Sequence, residues 1–168
     1  MRLKKYEFKC VNSTNDTAIK LIQKGNEKGI IFSDNQKKGK GRYGKKWISI
    51  KGNLFVSIFF QIKKINKLKN INKKNCKILK SLLSKYVNNK IEVKYPNDLL
   101  INKKKICGIL HETIFFKEKK YLIIGIGINI NNHPSIKKYK TGNLSQFTTK
   151  KISKLILFNN IKKTYEKK

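Results

Sequence analysis

The stretch that decides the fold is Ile106-Cys-Gly-Ile-Leu-His-Glu-Thr-Ile-Phe-Phe116, then Lys117-Glu-Lys-Lys120, then Tyr121-Leu-Ile-Ile-Gly-Ile-Gly-Ile-Asn-Ile130. Two long runs rich in β-branched and aromatic residues flank a short polar connection, which is the pattern of a hairpin. Upstream, Ile91 to Tyr95 and Leu99 to Ile101 read as shorter strands, and Asn102-Lys103-Lys104 is a second tight connection. Pro96 has no amide to give to a ladder, so it ends the strand carrying Lys94. Outward again, the spacing Leu68, Ile71, Ile78, Leu79, Leu82, Leu83, Tyr86 predicts one amphipathic helix from about Asn66 to Asn88.

Nearer the N-terminus, Trp47 to Ile50 and Asn53 to Ile62 read as two strands about a Gly52-Asn53 turn, and Gly29 to Asp34 as a short buried one. Lys5 to Val11 alternates as a strand. Ser13-x-x-Asp16 has the form of a capping box, so a helix of about ten residues follows and stops at Gly25. Lys151 to Tyr165 is periodic enough for a closing helix. Strands interspersed with a few helices predict an α+β domain with one central mixed β-sheet flanked by helices. With 168 residues, no internal repeat and no linker, the chain reads as a single domain, 1–168.

The 41 basic residues against 9 acidic ones give a net charge of +32. A polyanion footprint would cluster, yet successive quarters of the chain carry 11, 11, 9 and 10 basic residues. Lysine (39), isoleucine (25) and asparagine (19) fill 83 of the 168 positions, all encoded by A+T-rich codons. An A+T-biased genome explains most of the lysine, and the two arginines, Arg2 and Arg42, carry more information. The even spread argues against a specific nucleic-acid role. No apolar run reaches the ~20 residues a membrane span needs, and the start has no signal-peptide pattern. Cys10, Cys76 and Cys107 are odd in number and far apart, which suits a reducing cytoplasm with each thiol acting as a small buried hydrophobe. His111 and His133, 22 residues apart, make a zinc site improbable.

Chemistry concentrates in a few segments. Gln36-Lys-Lys-Gly39-Lys40-Gly41-Arg42-Tyr43-Gly44-Lys45-Lys46-Trp47 alternates glycines with cations and suits a phosphate or carboxylate. A mobile surface loop with solvated lysines is the plainer alternative, and Arg42 and the lone Trp47 weigh against it. Lys94-Tyr95-Pro96-Asn97-Asp98-Leu99 is by itself ordinary turn chemistry. In Lys105-Ile106-Cys107-Gly108-Ile109-Leu110, a glycine within a strand marks close approach of a ligand or another backbone. Gly125-Ile126-Gly127-Ile128-Asn129 lacks dinucleotide-fingerprint spacing, so a nicotinamide cofactor is not expected.

Taken in order, Ser13-Thr14-Asn15, Gly39 to Trp47, Lys94 to Leu99, Lys105 to Leu110 and Gly125 to Asn129 resemble the catalytic domain of biotin protein ligases. The resemblance implies a class II aminoacyl-tRNA synthetase-like fold and two-step chemistry. Biotin and ATP would give biotinyl-5'-adenylate, and a lysine of a biotin carboxyl carrier domain would then take the biotinyl group. The carrier would belong to acetyl-CoA carboxylase or a related carboxylase, with Mg²⁺ on the phosphates. It also implies that Lys105 and Arg42 are catalytic. Ser13, Thr14, Asn15, Gln36, Gly39, Lys40, Gly41, Arg42, Lys105 and Gly108 would bind biotin. Arg42, Lys45, Trp47, Asn97 and Asn129 would bind ATP, and Asp98 would contact a metal or a lysine. Lys40, Lys45 and Tyr95 depart from the family's usual arginines and tryptophan, and a lysine is a poorer bidentate partner for a carboxylate or phosphate. A cytoplasmic monomer or weak homodimer is expected, without an N-terminal helix-turn-helix, a C-terminal SH3-like domain, a specific nucleic-acid partner or a membrane. Lipoate or octanoate ligases and transferases of the same fold are the enzymatic alternative.

Overall fold

A computed structural model describes residues 1–62 and 70–167. The elements run β1 (Lys5–Phe8), α1 (Thr14–Gln23), β2 (Lys28–Ser33), β3 (Leu54–Ile62), α2 (Ile71–Leu83), β4 (Glu92–Lys94), β5 (Asp98–Ile101), β6 (Lys104–Phe116), β7 (Lys119–Ile128) and α3 (Lys154–Glu166). Among the described residues the strands form one seven-stranded sheet, ordered β1-β2-β3-β7-β6-β5-β4. Only β1 and β2 run parallel. The predicted mixed sheet flanked by helices is thus the observed one. Both connections read as tight turns are two-residue hairpins with positive φ at each central residue: 48° and 62° at Asn102 and Lys103, 47° and 60° at Lys117 and Glu118.

Alternation along the central strands splits the sheet into two unlike faces. Leu54, Val56 and Ile58 of β3, Cys107 and Ile109 of β6, and Leu122, Ile124, Ile126 and Ile128 of β7 join Leu79, Leu83, Leu157, Phe158 and Ile161 of α2 and α3 in the main core. The opposite face is covered at one end by α1, whose Ala18 and Ile22 pack with Ile31, Phe59, Tyr121 and Ile123. Its other end is left open by glycines. Ser13 caps α1 by accepting from the Asp16 amide at 3.5 Å, the only half of the expected capping box that forms.

Four expectations are corrected. Trp47 to Ile50 is not a strand; the chain there closes the glycine loop, with the Trp47 amide donating to the Gly39 carbonyl at 2.9 Å. The β3 strand starts at Leu54, one residue late, because Asn53 turns its side chain to the Ile130, Asn131 and Asn132 amides at 2.9, 3.3 and 3.3 Å. The helix predicted from Asn66 ends at Leu83, not Asn88, since Tyr86 and Val87 pack into the main core from a turn; its predicted opening, with Leu68, lies outside the described residues. Cys76 and Cys107 are buried as expected, but Cys10 is exposed, because β1 has already ended at Phe8.

His111 is directed at the helical face. Asn75 Nδ2 donates to its Nε2 at 2.9 Å, and Asn75 Oδ1 accepts from the Tyr165 hydroxyl at 2.9 Å, so the imidazole must be neutral there. Burial, reinforced by the Arg42 charge, pushes its pKa down to about 4. The folded protein therefore binds fewer protons than the unfolded chain between pH ~6.5 and 4. This contribution to stability is complete above pH ~6.5 and is lost as pH falls through that window. Thermal melts across the range should show a steeper acid decline for the wild type than for His111→Gln, and parallel curves would refute this role.

Candidate active site

The open end of the sheet is paved by register. Gly108 of β6 pairs with Gly127 of β7, which pairs with Phe55 of β3; in the next row Leu110 pairs with Gly125, and Gly125 with Ser57. A methyl group on Gly127 would lie 2.5 Å from Trp47 Cε2, one on Gly108 2.7 Å from Trp47 Cζ3, and one on Gly125 2.4 Å from Asn15 Oδ1. Gly108, read as a site of close approach, is thus approached by Trp47 of the same chain, and the register brings Trp47 onto Gly127 and Asn15 onto Gly125 as well. Gly127→Ala should displace the indole at a cost of about 1–3 kcal/mol. It should red-shift the emission of this single tryptophan and lower the melting temperature; an unchanged spectrum would contradict the packing.

Above this floor lies a cleft of about 360 Å³, lined by nine lysine and arginine side chains against one carboxylate, Asp98. At one end stands a polar wall. Thr14, at the start of α1, donates its amide to Gln36 Oε1 at 2.8 Å, and Gln36 Nε2 donates to Ser49 Oγ at 3.2 Å. Asn15 donates to Glu112 Oε2 at 2.6 Å, and Ser57 Oγ lies 2.5 Å from Asn15 Oδ1 and 2.8 Å from Thr14 Oγ1.

At the other end is Lys105, at the start of β6. Its ammonium is 2.9 Å from Asp98 Oδ1, an ion pair without a well-aligned hydrogen bond, and 5.4 Å from the ring centres of both Trp47 and Tyr139. Arg42 rises from the glycine loop, where Gly44 takes φ 71° and Tyr43 φ 54°. Its guanidinium stacks 4.7 Å from the Tyr43 ring, donates to Tyr43 Oη at 2.8 Å and reaches Asn97 Oδ1 at 3.5 Å. Asn97 is fixed in turn by donating to the Ile109 carbonyl at 2.8 Å. Lys40 pairs with Asp16, and that hydrogen bond raises its pKa.

Of the residues expected at a site, Ser13, Thr14, Asn15, Gln36, Lys40, Gly41, Arg42, Lys45, Trp47, Asn97, Asp98, Lys105 and Gly108 all line this cleft. Gly39 does not. It sits behind the loop, where a methyl group would be 2.5 Å from the Trp47 carbonyl oxygen. Asn129 borders a smaller pocket beside Trp47, Lys105 and Tyr139. Its Nδ2 donates to the Gly142 carbonyl, while its Oδ1 and Trp47 Nε1 are buried without a partner among the described residues. Asp98 meets Lys105, and among the described residues no cluster of three or more acidic, histidine or cysteine side chains could hold a metal. Sequence reasoning missed Ser57, Glu112 and Tyr139. Nothing local in the sequence marked them, although the scarcity of acids in so basic a chain could have drawn attention to Glu112.

Residues 7–129 match the biotin/lipoate A/B protein ligase family. The chain is 29% identical over 167 residues to the bifunctional ligase/repressor BirA of Bacillus subtilis, covering 94% of this chain and 51% of that protein. It therefore spans about half the length of that curated relative. The biotin protein ligase of Aquifex aeolicus in complex with biotin and ATP superposes with a TM-score of 0.76 at 26% identity, over 98% of this chain and 69% of that one. The biotin protein ligase of Leishmania major in complex with biotinyl-5-AMP, 23% identical, has a TM-score of 0.83 over 96% of this chain and 72% of that one, a likeness of fold.

Proposed function

The chain belongs to the biotin/lipoate A/B protein ligase family, and on that premise we propose that it attaches biotin to a carrier-domain lysine through biotinyl-5'-adenylate. One observation carries the proposal: a single cleft joins a polar wall at Thr14, Asn15 and Gln36 to a cationic end at Lys105 and Arg42. The wall suits the ureido ring of biotin, leaving its carboxylate at the cations. There a carboxylate oxygen attacks the α-phosphorus of ATP, and the bond to pyrophosphate breaks. The acceptor amine then attacks the acyl carbon and AMP leaves.

Lys105 is the cation placed to hold charge growing on the α-phosphate, with Asp98 orienting its ammonium. Arg42 closes over the phosphate from the loop. The adenosine would lie toward Trp47 and Asn129, whose unpartnered Nε1 and Oδ1 offer it a donor and an acceptor. Lys45 and Asn97 flank that end of the cleft. The lining's one carboxylate is engaged by Lys105, so the described residues do not themselves build a Mg²⁺ site; ATP oxygens and water would have to hold the ion. The acceptor we propose is the biotin carboxyl carrier domain of acetyl-CoA carboxylase or a related carboxylase, in the cytoplasm, where three unpaired thiols are at home. Incubation with ATP, carrier domain and either labelled biotin or labelled lipoate tests the assignment. Labelling by biotin alone supports it, and labelling by lipoate alone replaces it with a lipoate ligase.

A further inference from the structure

Alternation along β6 would turn Lys105 away from the cleft, and a bulge brings it back. Gly108 faces Trp47 and Glu112 faces Asn15 on the cleft side, so strict alternation would put Ile106 there and send Lys105 toward the helices. The pairing with β5 slips instead. Leu99 pairs with Cys107 and Leu100 with Lys105, which leaves Ile106 as the extra residue. Ile106 and Cys107 therefore both enter the main core, and Lys105 joins the face of Gly108, where a methyl group would lie 3.3 Å from its Cε. Past Ile128, where β7 ends, residues 140–142 run beside β6. The Lys105 amide donates to the Lys140 carbonyl and the Lys105 carbonyl accepts from the Gly142 amide, both at 3.0 Å. Asn129 Nδ2 donates to the Gly142 carbonyl at 3.0 Å, and His133 Nδ1 lies 3.0 Å from Thr141 Oγ1, so this segment is tied down on both sides. The residue just before it is Tyr139.

Trp47 and Tyr139 each place a ring centre 5.4 Å from Lys105 Nζ, within reach of a cation–π attraction. A lysine stem is flexible, so an ammonium held only by one counter-ion has many positions open to it. Two ring faces narrow them, and a ring face attracts the charge without taking up an N–H group. The ion pair with Asp98 uses none in a well-aligned hydrogen bond either, and Nζ makes no other hydrogen bond among the described residues. The charge is fixed while all three donors stay available to incoming oxygens. Tyr139 belongs to neither apolar core and is 42% exposed, so its ring adds little to the packing of the fold. We propose that Tyr139 is a positioning residue, the second jaw of an aromatic clamp that, with Trp47, holds the Lys105 ammonium in place for adenylation. This rests on the function proposed above.

Tyr139→Leu keeps an apolar side chain and removes the ring, whereas Tyr139→Phe keeps the ring and removes the hydroxyl. The segment is anchored through its backbone, so neither change should release it. Biotin-dependent ATP–pyrophosphate exchange should be measured for both variants, with the KM for biotin and for ATP and with thermal melts. For Tyr139→Leu the expected result is a fall of about tenfold in the kcat of exchange, the size of one partly desolvated cation–π contact. Both KM values should stay within about twofold of wild type, and the melting temperature should not move. Tyr139→Phe should recover kcat to within about twofold. Wild-type kcat in Tyr139→Leu would overturn this proposal alone. So would a higher KM for ATP at constant kcat, which would make Tyr139 a nucleotide contact. A Tyr139→Phe variant as slow as Tyr139→Leu, or a loss of kcat that tracks a lowered melting temperature, would overturn it as well. Wild type without biotin-dependent exchange would instead overturn the proposed function itself.

Discussion

Lys105→Ala is expected to abolish adenylate formation, lowering biotin-dependent turnover by at least about 10³-fold, the upper range for loss of one charge-stabilising donor in a sheltered site. The side chain is mostly enclosed by Asp98, Trp47 and Tyr139, and no other cleft cation is paired with Asp98. The substitution also leaves Asp98 without its counter-ion, which costs stability for reasons unrelated to catalysis. The double variant Lys105→Ala/Asp98→Asn removes that complication. It should recover the melting temperature of the wild type and remain inactive. Activity that returned with stability would show that Lys105 only holds the fold together.

Arg42→Gly should change the fate of the intermediate more than its formation. Arg42 stands on a small closed loop, pinned where the Gly41 amide donates to the Lys45 carbonyl at 2.6 Å and the Lys45 amide donates back to the Arg42 carbonyl at 3.1 Å. From there the guanidinium reaches the cleft beside Asn97. Without it the mixed anhydride loses its cover and its phosphate contact, escapes, and acylates lysines on bystander proteins. Labelling of an added unrelated protein should rise at least about tenfold over wild type, by analogy with the loss of one charged hydrogen bond. A variant that simply loses activity, with no diffuse labelling, would remove Arg42 from this role.

Much of the framework was legible because its signals are local. The β6–β7 pair announces itself as two apolar runs around a polar turn, and Ser13 caps a helix within its own four residues. Gly108 could be read as a place of close approach, whereas Gly125 and Gly127 gave no such signal on their own. What approaches these glycines could not be read, since Trp47 and Asn15 arrive from β-sheet register and loop closure over separations of 61 residues or more. Trp47 to Ile50 has strand-forming residues, but it was claimed by the glycine loop. Ser57 looks like an accident within an apolar strand until its pairing with Gly125 places it under Asn15. Glu112 looks like a solvated position on a long strand, and beyond the rarity of acids in this chain it takes the row count along β6 to bring it to the wall. Tyr139 lies in a polar stretch without periodicity, and its place against Lys105 is a tertiary fact. The charge of +32 remains mostly background. On the proposed function, nine cations around one cleft would steer ATP and an acidic carrier toward it, as a salt-sensitive gain in association rate.

ATP–pyrophosphate exchange with purified protein tests, without an acceptor, whether the cleft couples biotin to ATP. Labelled pyrophosphate should enter ATP when biotin is present, and the exchange should vanish in Lys105→Ala. Exchange that is absent with biotin, or that proceeds equally well without it, would show that the cleft does not couple biotin to ATP.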